Sequence, residues 1–250
     1  MFSVDDRAAL RDALIGAARR DARITGVALT GSSSTGAEDR WSDIDLAFGV
    51  AGGANRAALI AEWTERMYRD QDAVHHTDVM AGAALFRVFL LRNTLQVDLA
   101  FWPESEFGAI ASTFRLVSGT ARERPAFPGP LAESLIGMGW LYALHARSCI
   151  ARGKVWQAEY MISGVRDHVL ALACVRHGVP AVQGRGMDML PREVTAPMVH
   201  ALVRSLDVVE LRRAFASACK LLLVEIDAVD ASLGERLSAP IRELATSSSV

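Results

Sequence analysis

The sequence predicts an α+β fold, a mixed sheet with flanking helices followed by a C-terminal helical bundle. Three observations lead there. Helical and strand periods alternate through the first hundred residues. Glycine and proline cluster between residues 119 and 130, and beyond them the periods are almost entirely helical.

The elements can be taken in order. Residues 5–20 place Leu10, Leu14, Ala17 and Ala18 on one helical stripe, and Ile24 to Thr30 is a β-rich run. A small-residue loop, Gly31 to Ser42, precedes residues 43–50, whose first half alternates polar and apolar as a strand with one functional face does. Gly52-Gly53 ends that strand. Residues 54–69 form a second helix with Leu59, Ile60, Trp63 and Met67 in register. Ala73 to Met80 and Leu85 to Leu91 are strands, Arg92-Asn93-Thr94 is a turn, and Leu95 to Trp102 returns as a hairpin partner.

Gly119, Pro125, Pro128, Gly129 and Pro130 mark turns and a change of domain, giving an N-terminal domain over 1–118 and a helical one over 119–250. Leu131 to Ala151 and Val155 to His177 are long helices, the second closed by Gly178 and Pro180. Two more cover about 195–203 and 206–232, and the final ATSSSV reads as a loose tail.

At 250 residues, 51% of them hydrophobic, the chain can build a sizeable core. The net charge of −2 and the lack of a basic run argue against a nucleic-acid channel, yet suit a small polyanion bound through metal ions. The charged N-terminus lacks the apolar core of a signal peptide, and no run reaches the roughly 18 apolar residues of a membrane span. Cys149, Cys174 and Cys219 share no metal-ligand spacing and read as buried free thiols of a cytoplasmic protein. The apolar C-terminal helices could also bury a homodimer interface.

The residues that carry chemistry start with GSSSTGAEDRWSDIDL, residues 31–46. Asp43 and Asp45 are two apart in a strand pattern and project from one face, while Ile44 and Leu46 face the core. Neighbouring carboxylates repel unless a cation intervenes. Asp98, between Val97 and Leu99 in a strand too apolar for a solvated edge, is a third candidate. Three carboxylates on one sheet face suit Mg²⁺, and two such ions can serve both the attacking and the leaving oxygen of a phosphoryl transfer. Ahead of the pair, Gly31 permits close approach of backbone to ligand, and the amides and hydroxyls of Ser32 and Ser33 offer an anion cradle.

Gly31-Ser32, ten intervening residues, Asp43-x-Asp45 and a further aspartate on a later strand resemble the DNA polymerase β-like nucleotidyltransferase superfamily. With a helical second half, the likeness is to the aminoglycoside (kanamycin-type) and related small-molecule nucleotidyltransferases. The resemblance implies that Gly31 and Ser32 bind nucleotide phosphates and that Asp43, Asp45 and Asp98 hold Mg²⁺. It implies transfer of a nucleoside monophosphate, AMP from ATP or the equivalent from another NTP, to a hydroxyl of a small molecule such as an aminoglycoside-like antibiotic. Where the family often carries a basic residue after the serine, as in GSxARG, this chain has Thr35, and Arg40 is a candidate replacement.

In the helical half, Glu159, Ser163, Arg166 and Asp167 fall on one stripe, either a solvated face or the wall of a cleft. The resemblance makes Glu159 the general base for the acceptor hydroxyl, and Arg166 is suited to the triphosphate. His75 and His76 point to opposite faces and do not form a joint metal site. Arg185 lies in an interhelical turn, and Trp41 is the one tryptophan inside the motif loop. Two other readings keep the fold: a regulator or antitoxin-type enzyme that nucleotidylates protein side chains, and a nucleotide-binding protein without turnover.

Overall fold

The computed structural model describes residues 1–125 and 128–246. Its contacts divide the chain into two units, Met1–Phe127 and Pro128–Val250. Residues 119–125, expected in the helical domain, therefore belong with the first unit.

The first unit is α+β. Its elements are α1 (Val4–Arg20), β1 (Ile24–Thr30), α2 (Gly31–Thr35), β2 (Ile44–Val50), α3 (Arg56–Asp70), β3 (Ala73–Ala81), β4 (Ala84–Leu91), β5 (Gln96–Pro103), β6 (Gly108–Ala109), β7 (Phe114–Gly119) and β8 (Arg122–Glu123). Helix α1 starts at Val4 because Ser3 and Asp6 form a reciprocal capping box, each side chain accepting from the other's backbone N–H at 3.0 Å. Asn55 caps α3 through the Ala58 N–H, which sets its start two residues later than the apolar period suggests.

The sheet runs β3-β4-β5-β2-β1-β7. All its neighbours are antiparallel except β2 and β5, which pair in parallel. The hairpin between β4 and β5 turns at Arg92-Asn93-Thr94, with Thr94 at φ 72° and the Asn93 side chain accepting from the Leu95 N–H. One face buries Val27, Leu29, Ile44, Leu46, Phe48, Val97, Leu99 and Phe101 against Leu14 and Ala18 of α1 and Leu59, Trp63 and Met67 of α3. The opposite face is lined by small residues, Ala28, Ala47, Ala84 and Ala100, with Trp102 and Phe107 at one end. Asp45 alternates with Ile44 and Leu46, and Asp98 with Val97 and Leu99, so both carboxylates stand on this second, shallower face.

Within the first unit, two departures from the expectations bear on the site. Residues 31–35 form a single helical turn rather than open loop, since the side chains of Ser33, Ser34 and Thr35 donate to the carbonyls of Thr30, Gly31 and Ser32. Strand β7, unassigned in the sequence reading, completes the sheet beside β1, with Gly119 at φ 77° packed on the Thr25 carbonyl.

The second unit is helical: α4 (Ala132–Ala151), α5 (Val155–Arg176), α6 (Arg192–Met198), α7 (Val208–Val229) and α8 (Ala231–Thr246), with a 3-10 turn at Val199–Ala201. Its core joins Ile136, Ala143 and Ile150 of α4 to Ile162, Val165 and Leu172 of α5 and Leu211, Phe215, Leu222 and Ile226 of α7. The helix expected over 206–232 is in fact α7 and the start of α8. Asp230 adopts an extended conformation between them, and its carboxylate caps α8 through the Leu233 N–H. Ala245 and Thr246, expected in the loose tail, end α8, and 247–250 lie outside the described residues.

Cys149, Cys174 and Cys219 are all buried and free. Burial pushes the Cys219 thiol up to about 12, which keeps it a neutral apolar side chain. Among the described residues no helix is long and apolar enough to cross a membrane.

Candidate functional site

Parallel pairing of β2 with β5 sets Asp45 directly opposite Asp98. Asp43, one residue before β2 begins, returns to the same face by the two-residue period. One carboxylate oxygen from each of Asp43, Asp45 and Asp98 lies within 4.8 Å of the others, and all three residues are half-buried. The spacing predicted from sequence thus brings the three aspartates together.

Their chemistry suits a cation. Burial, opposed in part by a hydrogen bond from Gln96 and reinforced by the nearby Asp43 charge, pushes the Asp98 carboxyl up to about 6. The Gln96 side chain donates to Asp98 Oδ1 at 3.0 Å and to Asp43 Oδ2 at 3.3 Å. One amide group thus bridges two carboxylates that otherwise repel each other. Sequence reading missed Gln96, although its position two residues before Asp98 on the same strand is the available signal.

Gly31 is part of the same cluster. It has φ +58°, and a Cβ there would lie 1.9 Å from Asp45 Oδ2. The position therefore demands glycine twice, for its backbone and for the carboxylate seated against it. Ser33 turns inward and is buried, its hydroxyl donating to the Thr30 carbonyl at 3.0 Å. Ser32 differs from the next three residues in that its hydroxyl makes no hydrogen bond among the described residues.

The loop from Gly36 to Ser42 is ordered by its own side chains. Asp39 Oδ1 accepts from the Trp41 N–H at 2.8 Å and the Ser42 hydroxyl at 3.0 Å, and these bonds hold its carboxyl below the usual range. Trp41 is 70% exposed, and the Arg40 guanidinium stacks 4.4 Å over its ring. Arg40, the candidate replacement for a basic residue at Thr35, is thus engaged with Trp41. A guanidinium in contact with the short helix comes from β7, where Arg115 donates to the Ser33 carbonyl at 3.3 Å.

Glu159 and Arg166 lie in the second unit. Ser163 donates to Glu159 Oε1 at 2.7 Å, and Arg166 pairs with its neighbour Asp167 at 2.7 Å. The expected stripe on α5 is therefore cross-linked within itself. Further along the same helix, His168 sits against Tyr142, with its Nδ1 2.7 Å from the Gly164 carbonyl. Arg185 falls in a tight turn whose N–H donates to the Val182 carbonyl, and Gln183 and Gly184 take positive φ. In the first unit, His76 Nδ1 meets the Tyr68 hydroxyl at 2.9 Å, an interaction that His75 does not share.

No protein-family model matches the chain, and no curated protein matches it. Among solved structures, the crystal structure of an aminoglycoside 6-adenyltransferase from Bacillus subtilis is similar over 98% of this chain and 100% of that one. The identity is 14% and the TM-score 0.43. What this chain does must be read from its own residues.

Those residues fit a divalent cation. The donors are hard carboxylate oxygens, as Mg²⁺ or Mn²⁺ requires, set close together on one face of the sheet.

Proposed function

We propose that the protein is a Mg²⁺-dependent nucleotidyltransferase that moves a nucleoside monophosphate, AMP from ATP, to a hydroxyl of a small molecule. The observation that carries this reading is the convergence of Asp43, Asp45 and Asp98 within 4.8 Å of one another, with Gly31 packed against Asp45. Phosphate-holding backbone beside a carboxylate cluster is the arrangement that handling a metal-bound nucleotide needs.

In this reading the three aspartates hold the metal, which when bound neutralises charge on the phosphoryl oxygens. Two ions fit the three-carboxylate donor set. The Ser32 hydroxyl and the backbone amides of the Gly31–Thr35 turn bind the outer phosphates, with Ser33 contributing through its main chain. The acceptor hydroxyl attacks the α-phosphorus, the bond to the pyrophosphate oxygen breaks, and a general base takes the hydroxyl proton, the role that the family resemblance gives to Glu159. Ser163, donating to Glu159, orients that carboxylate. An aminoglycoside-like antibiotic is a suitable acceptor class, since it presents several hydroxyls on a small polar frame.

The test is incubation with α-labelled ATP, Mg²⁺ and a panel of hydroxylated acceptors, among them aminoglycosides. Label should move to an acceptor with release of pyrophosphate, and Asp43→Ala with Asp45→Ala should abolish the transfer. Equal labelling by that double variant would falsify the metal assignment. Label found on protein rather than on a small molecule would reassign the acceptor.

A further inference from the structure

Asp43 is the member of the carboxylate cluster that lies outside a strand, so ladder hydrogen bonds do not fix it as they fix Asp45 and Asp98. Something else must aim it. The preceding loop carries a contact that its own sequence does not reveal.

Arg7 of α1 is 2% exposed, an unusual place for a guanidinium. Its Nη1 donates to the carbonyl of Asp39 and, at 3.0 Å, to the carbonyl of Ser42. Its Nε faces Glu38 Oε1 at 3.5 Å without a hydrogen bond, and the other Glu38 oxygen accepts from Arg11 at 2.6 Å. Two arginines of one helix thus hold both ends of the segment 38–42, which leads straight into Asp43. The Ser42 carbonyl belongs to the same planar peptide as the Asp43 nitrogen, so pinning it fixes the direction in which the Asp43 backbone sets out. On the far side, Gln96 holds the Asp43 carboxylate itself.

We infer that Arg7 is a positioning residue for the metal site: with Glu38 and Arg11 it clamps the 38–42 loop and thereby aims Asp43 at the ion. The inference rests on the metal-dependent reading above. Lysine cannot reproduce the clamp, because Arg7 sets one nitrogen against the two carbonyls and a second against Glu38, and an ammonium has only one. Groups one step removed from a ligand commonly change metal affinity by about 10–100-fold, and the expected loss here is about tenfold.

The experiment titrates full-length protein with Mn²⁺ and reads free ion by electron paramagnetic resonance, without any turnover. Arg7→Lys should bind Mn²⁺ about tenfold more weakly than the wild type while keeping its circular dichroism spectrum. Arg7→Lys combined with Asp43→Asn should bind no more weakly than Asp43→Asn alone, because the clamp acts through that aspartate. Arg176→Lys, which disturbs an ion pair in the helical unit, should leave Mn²⁺ affinity unchanged. Wild-type affinity in Arg7→Lys, or a loss that adds in full to that of Asp43→Asn, overturns the clamp alone. A wild type that binds no Mn²⁺ overturns the metal site and the clamp with it. Should Arg7→Lys not fold, Glu38→Gln removes the charge that Arg7 and Arg11 share, and affinity equal to wild type there overturns the proposal.

Discussion

Replacing Asp98 with asparagine tests the electrostatics of the cluster without touching the fold. Burial and the neighbouring Asp43 charge raise the Asp98 carboxyl from its ordinary 3.8 to about 6. A rise of about two units corresponds to about 3 kcal/mol at 1.36 kcal/mol per unit. Asp98 is half-buried, and solvent screening brings that to about 2 kcal/mol. The sign follows from linkage. A carboxyl raised in the folded state contributes stability that is complete below pH 3.8, and that contribution is lost as the pH rises through about 6. At pH 7.5 the metal-free wild type therefore carries an unfavourable charge that asparagine, a neutral isostere, removes. Asp98→Asn should be about 2 kcal/mol more stable than wild type at pH 7.5 and equal to it near pH 4, measured by urea unfolding in EDTA. Saturating Mg²⁺ should reverse the order, since only the wild type gains the binding energy. A variant no more stable at pH 7.5, or one whose advantage is the same at pH 4, would refute this account of the site.

Other outcomes follow from the same geometry. Mn²⁺ affinity should fall steeply below pH 6, by up to about tenfold per unit as protons compete for Asp98, and calorimetric titrations at several pH values read it directly. Gly31→Ala should cost roughly 1–2 kcal/mol for the left-handed backbone and should also expel the Asp45 carboxylate. Its signature is loss of Mn²⁺ binding together with a lower unfolding midpoint. Gln96→Leu should raise the Asp98 carboxyl further, because the hydrogen bond it removes favours the ionised form, and carbon-detected carboxyl titration by NMR would show the shift. In the helical unit, Arg176→Ala strands Glu225, which is 3% exposed and held at 2.8 and 2.9 Å, and should destabilise that unit by about 3–5 kcal/mol in thermal unfolding.

Much of this was legible in the sequence because it depends on short-range periodicity. The two-residue alternation around Ile44 and Val97 is enough to put Asp43, Asp45 and Asp98 on one face, and the fold brings them together. The turn at Arg92-Asn93-Thr94 and the stripes of α1, α3, α4 and α5 are local in the same sense. What escaped was of two kinds. Strand β7 mixes exposed and half-buried residues and is held by β1 across most of the unit, so no local period announces it. Helix α8 carries Pro240 in its interior, a residue that removes a backbone donor and reads as a helix stop; buried Ile241 and Leu244 outweigh it. At the site, Arg7 and Gln96 were invisible for a related reason. An arginine on a charged helix and a glutamine at a strand start look solvated until the loop or carboxylate they serve is folded beside them.

The parallel pairing of β2 with β5 has a kinetic consequence. After β2 the chain crosses through α3 and forms the edge strand β3 and its neighbour β4 before β5 pairs between β4 and β2. Asp98 meets Asp45 only when that long connection closes, so carboxylate repulsion and loop entropy oppose the same pairing. A divalent ion spanning the two strands would act as a reversible cross-link at the seam between β2 and β5. A cross-link that forms after the folding transition state holds back unfolding more than it hastens folding. In this protein, metal supply and the lifetime of the folded sheet would rise and fall together.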